Sequence, residues 1–483
     1  MRICFVSSEL APFAKAGGLG DVSAALPRYL HGAGHDVRVF VPFYARVAQP
    51  GRELVSVDFI QNIQVRLGPH TYHFSLYTTQ LPNSTLWVYF VECPPLYARA
   101  ELYTSDVDEH MRFGLLTRAA FEACQRMGFA PNVVHCNDWQ TAIAPVYLDA
   151  YYRWDRLFSA TRTLLTIHNI GYQGVFGGNA VEDLGLSGHA GALHQEDLRA
   201  GRVNLLKTGI LHADLLNTVS PTYAREVQSG PMGAGLEGLL RQRTSTFYGI
   251  LNGVDYDEWS PEKDPLIPHK FSRDDLVGKA QVKELLIKRL GLKPANGAPL
   301  IGIVSRLTGQ KGLDLLFDVL PWLLRRYDLR LAVLGNGEPR YEQFFGMLQQ
   351  QFPNRVCFYW GYSNELAHLI EAGADMFLMP SLYEPCGLNQ MYSLRYGTVP
   401  IVRRTGGLAD TVQLFDVATG RGTGIVFNDY NREGVAWALT TALGLYQRPR
   451  LWRQMMLNGM AEDYSWERQG AQYVRLYEML TAH

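Results

Sequence analysis

The chain has 483 residues, 47% of them hydrophobic and 19% charged, with a formal net charge of −1. That length exceeds one ordinary core and predicts two domains, while the near-zero charge excludes a global basic field for nucleic acid or an acidic membrane surface. No apolar run reaches the length of a membrane span. The N-terminus reads as a strand rather than a secretion signal. Cysteines 4, 93, 124, 136, 357 and 386 form neither a CxxC pair nor a zinc spacing, so reduced thiols in a cytoplasmic enzyme are expected.

In chain order, an apolar strand at 2–7 runs into a glycine loop and then a helix. That helix places Val22, Ala25, Leu26, Tyr29 and Leu30 on one face at the 3.6-residue period. Strands follow at 36–41 (closed by Pro42), 85–91, 133–135, 163–167 and 214–220. Residues 250–255 read as a strand end and turn, and the proline- and charge-rich stretch 259–268 as the passage into a second domain. There the alternation is regular. Strands at 300–305, 329–334, 356–360, 375–379 and 399–402 are separated by helices from Leu313, at 339–351, at 365–372 and within 388–395. Such alternation predicts a mainly parallel sheet covered on both faces. The opening at 300 repeats the one at the N-terminus, an apolar strand leading into a loop with glycine and a cation. This predicts an α/β protein of two doubly wound domains facing across a deep cleft. A last helix spans about 466–480.

Parallel sheets bind ligands at the C-terminal edge of their strands, and several reactive residues fall at such ends. Gly17, Gly18 and Gly20 allow close backbone approach, Asp21 sits near the helix start, and Lys15 adds charge. These can form a nest for a phosphate; a tight turn with a solvated lysine is the alternative. The loop is not GxGxxG, the second strand ends without the acid that would hold a ribose, and no GxxxxGK[ST] is present. NAD and P-loop readings are set aside. Arg306 and Lys311 flank the loop after the second domain's first strand, where two cations can neutralise a departing diphosphate without metal. His168 ends a strand and can hydrogen-bond a sugar hydroxyl, although a structurally satisfied histidine fits equally. Glu384, ahead of Gly387, can hold sugar hydroxyls or serve as a helix-start acid. The triplets Asp106-Val107-Asp108 and Asp255-Tyr256-Asp257 spell DxD but stand in polar, turn-like settings, and no metal site is expected. Tyr97, Tyr103, Trp139 and Tyr172 can line a glucan groove, though most aromatic residues pack cores.

These motifs, in this order, resemble the bacterial glycogen synthases and plant starch synthases, glycosyltransferase family 5. The resemblance spans essentially the whole chain. It rests on Lys15–Val22 (K-x-G-G-L-x-D-V), His135–Trp139, Thr166–Asn169, Thr218–Ala224, Leu251–Asp255, Ser305–Leu307, Gln310–Gly312, Gly361-Tyr362, Pro380–Leu388 and Thr405–Leu408. It implies a GT-B fold: an acceptor domain over 1–250, a donor domain over 251–463, and a C-terminal helix, 464–483, crossing back to the first. The implied reaction transfers α-glucose from ADP-glucose to the non-reducing 4-hydroxyl of glycogen or another α-1,4-glucan, with retention and without cofactor or metal.

Carried over by residue, the resemblance places Lys15 and Gly18 near the diphosphate and glucose, and Arg306 and Lys311 on the leaving ADP. It places His168 and Glu384 on the glucosyl ring and Tyr362 against adenine. Cys386, Gly387, Leu388, Thr405 and Gly406 join the donor side; Asp21, Tyr97, Asp138 and Asn252 join the acceptor side. Two departures stand out. Eight residues after Glu384, where related retaining transferases carry a second acid, this chain has Tyr392, as bacterial and plant synthases commonly lack that acid. The glycine-rich stretch before Leu236 reads Pro231–Gly235, which weakens its acceptor contacts. A catalytically silent glucan-binding protein of the same fold and a UDP-glucose-using retaining transferase are the competing readings.

Overall fold

The computed structural model describes residues 1–48, 53–294 and 297–482. The chain divides into two compact units. The first comprises Met1–Val219, Ala224–Gly253 and Trp466–His483; the second comprises Ser220–Tyr223 and Val254–Ser465. The junctions expected at 250/251 and 463/464 thus lie three and two residues before those of the structure, which also assigns Ser220–Tyr223 to the second unit.

In the first unit the apolar runs pair into one sheet. Its order is Phe247–Gly249, Leu215–Thr218, Arg162–Ile167, Val133–Asn137, Arg2–Val6, Asp36–Pro42, Trp87–Glu92, His70–Gln80 and Val55–Ser56, with Ile63–Leu67 also on His70–Gln80. Pairing is parallel as far as Trp87–Glu92 and antiparallel beyond. The sequence reading did not foresee this antiparallel flap. Helix Gly18–Gly32 buries Leu19, Val22, Leu26 and Leu30 against the sheet.

Tyr29 is partly buried and meets the last helix, Trp466–Thr481. A Cβ at Gly470 would come within 2.2 Å of the Tyr29 ring, so Gly470 is what lets these helices approach. The last helix is also fastened through the sheet. The Tyr477 hydroxyl lies 2.7 Å from His135 Nδ1, and Asn217 Nδ2 donates to the Tyr473 hydroxyl at 3.1 Å. His135 Nε2 meets Thr166 Oγ1 at 2.8 Å.

The second unit carries a fully parallel sheet in the order Val356–Trp360, Arg330–Gly335, Leu300–Val304, Met376–Met379, Val399–Arg403 and Ile425–Phe427. Both faces are covered. Ile301, Leu331 and Leu378 belong to one core cluster and Leu300, Ala332 and Phe377 to another, as the two-residue strand period requires. Strand order reverses between Leu300–Val304 and Met376–Met379, and in the first unit between Arg2–Val6 and Val133–Asn137. Such switch points open a crevice at the carboxyl ends of the strands.

Candidate functional site

Around the switch point of the first unit, the loop after Arg2–Val6 carries Lys15 and that after Val133–Asn137 carries Asp138. Lys15 Nζ pairs with Asp21 Oδ1 at 2.7 Å, both side chains partly exposed. The phosphate nest expected here is partly filled by the protein itself. The carboxylate of Glu9 accepts from the amides of Ala16, at 2.8 Å, and Gly17, at 3.0 Å. Gly18 opens the helix, whose first amides have no acceptor within it. The glycines are not there for unusual dihedrals, since Gly17 has φ −156°. Space is tight at Gly20, where a Cβ would lie 3.0 Å from the Lys15 stem and 3.3 Å from Glu9 Oε2.

Asp138 and His168 come together. Asp138 stands at φ 54° and is buried, with Oδ1 accepting from the backbone amides of His168 at 2.6 Å and Asn169 at 3.3 Å. Burial pushes its carboxyl up to about 7 against the pull of those amides. Asn137 donates its Nδ2 to the Val6 carbonyl at 3.0 Å, which turns its Oδ1 toward His168 Nε2 at 2.9 Å. That oxygen can only accept, so Nε2 carries the proton and Nδ1 keeps a lone pair. Burial draws the His168 imidazole down to about 3, so it stays neutral. It is therefore built to accept a hydrogen bond at Nδ1.

A cavity of about 750 Å³ adjoins Trp139, between Thr104–Val107 and Gly171–Gly177, with His110 and Phe176 in its wall. Gly174, at φ +62°, lies against the Trp139 indole, where a Cβ would come within 2.3 Å. Tyr172 is exposed at its edge.

The acceptor-side reading of Tyr97 is corrected. Its ring is fully buried and its hydroxyl donates to the Arg112 carbonyl at 2.6 Å, so it presents no surface to a ligand. Asn252 is also buried, its Oδ1 without a partner among the described residues. It precedes Gly253, which packs under the Trp466 ring. In the DxD triplets, Asp106 and Asp108 both pair with Arg99 and Asp257 pairs with Lys263.

In the second unit the switch point brings Lys311 and Glu384 together. Lys311 Nζ reaches both carboxylate oxygens, at 2.8 and 3.1 Å, and Ser381 Oγ donates to the same carboxylate at 3.0 Å. Both charged side chains are largely buried. Arg306 is exposed, and among the described residues its guanidinium makes no hydrogen bond or ion pair. The loop order depends on close backbone contact. A Cβ at Gly312 would lie 2.0 Å from the Pro380 carbonyl, at Gly406 1.9 Å from that of Glu384, and at Gly407 2.0 Å from that of Cys386.

The remaining donor-side candidates surround this loop. Gly387 is left-handed at φ +71°, and Cys386 and Thr405 are buried. Leu388 is half-buried ahead of helix Asn389–Arg395. Asn389 ties that segment to the Val304 carbonyl at 2.8 Å. Tyr362, 68% exposed, follows the edge strand. Tyr392 is buried and stacked on Trp259, ring centroids 4.0 Å apart. The site residues missed in the sequence are Glu9 and Asn137. Their signal was position alone, a polar side chain at the end of an apolar strand.

Two α/β units, each with polar candidates at a switch point between parallel strands, form a GT-B-like glycosyltransferase fold. Residues 2–242 match the family described as starch synthase catalytic domain, and 288–454 the one described as glycosyl transferases group 1. The chain is 44% identical to a glycogen synthase of Koribacter versatilis over 99% of its length and 98% of that protein's. It is 41% identical to a glycogen synthase of Thermotoga maritima over 100% and 99%. The catalytic domain of starch synthase IV from Arabidopsis thaliana, bound to ADP and acarbose, superposes with a TM-score of 0.92 at 33% identity, covering 100% of this chain and 99% of that one. Sucrose-phosphate synthase from Thermosynechococcus elongatus shares the fold, with a TM-score of 0.63 at 18% identity over 100% and 99%. This chain belongs to the family of glycogen and starch synthases. Among its described residues no helix is long and apolar enough to cross a membrane.

Proposed function

We propose that the protein elongates an α-1,4-glucan, transferring glucose from ADP-glucose to the non-reducing 4-hydroxyl with retention and without a metal ion. The observation that carries this is the cation arrangement at the second unit's switch point. Lys311 is fixed in place by Glu384, while Arg306 on the same loop is exposed and, among the described residues, unpaired. The relatives named glycogen synthase and the starch synthase bound to ADP and acarbose support the choice of nucleotide and glucan.

Arg306 and Lys311 would neutralise the ADP as it leaves, the role that preorganised cations play in water-poor sites. Lys15 and the helix-start amides from Gly18 would add to that neutralisation. The C1–O bond to ADP breaks, and the acceptor's 4-oxygen attacks C1 on the same face. Its proton passes to the departing phosphate oxygen. Neutral His168 would accept a glucosyl hydroxyl at Nδ1. The carboxylate of Glu384 would hold further hydroxyls, and Tyr362 would stack on adenine. The cavity beside Trp139 and Tyr172 would receive the glucan, whose sugar faces suit aromatic walls.

Incorporation of labelled glucose into glycogen from ADP-glucose and UDP-glucose side by side, with EDTA present, tests the reading. Strong incorporation from ADP-glucose is expected. Preference for UDP-glucose would overturn the donor, loss of activity in EDTA the metal-free mechanism, and no transfer from either donor the whole proposal.

A further inference from the structure

Glu9 lies just past strand Arg2–Val6, is 4% exposed, and is not assigned a role by the proposed reaction. Its two oxygens face different loops. Oε2 accepts the amides of Ala16 and Gly17, at 2.8 and 3.0 Å. Oε1 accepts the Tyr103 hydroxyl at 2.7 Å, and that hydroxyl also meets Ser8 Oγ at 2.9 Å. Tyr103 directly precedes Thr104, the start of one wall of the cavity. Thr104 is held in turn by Glu109, which accepts its amide at 3.1 Å and its hydroxyl at 2.7 Å. One buried carboxylate therefore ties the Lys15 loop to the wall of the cavity. Gly20 leaves room for this, because its missing Cβ would crowd both Glu9 and the Lys15 stem.

We propose that Glu9 is a positioning residue that holds the Lys15–Gly18 loop in register with the cavity wall through Tyr103, so that filling the cavity and ordering the loop are coupled. The cavity's role as the glucan's landing place rests on the function proposed above. A buried carboxylate keeps its donors because any it loses leaves charge desolvated and unpaired. Displacing Tyr103 therefore pulls on the same group that anchors Ala16 and Gly17. A shift of about 1 Å in a positioning loop is enough to cost about a hundredfold in rate.

The test compares the full-length protein with Glu9→Ala, Glu9→Gln and Tyr103→Phe. Amide hydrogen exchange is followed over residues 14–20, and the KM for ADP-glucose is measured at scarce and saturating glycogen. Glu9→Ala should speed exchange at Ala16 and Gly17 by about tenfold or more and lower kcat about a hundredfold. Glu9→Gln, which keeps an acceptor oxygen, should recover most of the protection. In the unaltered protein the KM should fall about threefold or more as glycogen saturates, and Tyr103→Phe should abolish that dependence while Ala16 and Gly17 stay protected.

Exchange at those amides unchanged in Glu9→Ala would overturn the anchoring. Retention of the KM dependence in Tyr103→Phe would overturn the coupling. Should Glu9→Ala lose protection throughout the chain, Glu9→Gln and Tyr103→Phe decide. A protein that transfers no glucose refutes the function proposed above, and the exchange measurement still decides for or against Glu9 as the anchor.

Discussion

The two units place most of their candidate side chains around a switch point but differ in the means that dominate in fixing them. In the first, buried polar groups grip backbone and ring. Glu9 holds Ala16 and Gly17, Asp138 holds His168 and Asn169, and Asn137 sets the His168 tautomer. In the second, absent side chains do the fixing, as Gly312, Gly406 and Gly407 press against carbonyl groups that leave no room for a methyl. Among the described candidate side chains there, Lys311 and Glu384 are also locked by charge. Both solutions preorganise a site, yet they fail differently. Hydrogen-bonded loops answer to proton and charge, close-packed loops to volume.

The sharpest test of that contrast lies within the second unit, between its two cations. Lys311→Ala removes a cation from the proposed leaving-group site and leaves Glu384 buried beside Ser381 alone. It should lower kcat about a thousandfold and destabilise the protein by about 3 kcal/mol. Arg306→Ala should lower kcat about a hundredfold with no loss of stability, since the guanidinium is exposed and unpaired among the described residues. Adding Glu384→Gln to Lys311→Ala should restore much of the stability and none of the rate. Equal denaturation midpoints for the two single variants would show that the ion pair does not hold the loop.

Next in size is Gly406→Ala. At φ +44°, with the new Cβ 1.9 Å from the Glu384 carbonyl, the loop must move. The cost should be about 3 kcal/mol by chemical denaturation, the upper end for overpacking. The matching control is Gly17→Ala in the first unit, where a Cβ meets nothing within 4 Å. Its stability should be nearly unchanged, and a loss as large as that of Gly406→Ala would break the contrast.

How much of this was legible in the sequence follows the same division. Most of the parallel strands were readable because buried parallel strands are continuous apolar runs, as in Leu300–Val304 and Arg330–Gly335. The three-residue edge strands Phe247–Gly249 and Ile425–Phe427 are too short to show a run and were not read as strands. His70–Gln80 was missed: its alternation is diluted by half-buried Thr and Tyr residues near a sheet edge, where only one face needs to be apolar. Lys311 and Glu384 were found separately, each at a strand end, but their pairing is a property of the switch point and needs the strand order. Tyr97 was misplaced because an aromatic residue in a loop carries no local sign of whether its ring turns inward. Glu9 was passed over since a carboxylate that binds backbone amides leaves no spacing pattern, its partners being Ala16 and Gly17, which any residue could supply.

The first unit's dependence on protonation can be probed at Asp138. Its carboxyl is raised from the usual 3.8 to about 7 in the folded protein. Within that window the folded state keeps a proton that the unfolded chain has released, so Asp138 makes stability fall as pH rises. His135 and His168, both drawn down to about 3 by burial, act oppositely, favouring the folded state as pH rises toward 6.5. Asp138→Asn keeps an acceptor for the two amides and removes only the carboxyl titration. Relative to the unaltered protein, it should gain about 2 kcal/mol in urea denaturation between pH 5 and pH 7. Parallel curves for the two proteins would mean that the buried carboxyl is not protonated in the fold.

The smallest effect is expected at the exposed edge of the second unit's sheet. Tyr362 is largely exposed beyond the edge strand, with its hydroxyl donated to Asn364 Oδ1 at 2.9 Å. If its ring stacks on adenine, Tyr362→Ala should raise the KM for ADP-glucose about tenfold, the scale of one base–aromatic contact, and leave kcat and stability nearly unchanged. Tyr362→Phe should behave as the unaltered protein, because the hydroxyl serves Asn364 and stacking needs only the ring. A KM raised equally by Phe and Ala would assign the contact to the hydroxyl instead. A KM unmoved by Ala would remove Tyr362 from the donor site and leave binding to the preorganised loops on either side of the switch point.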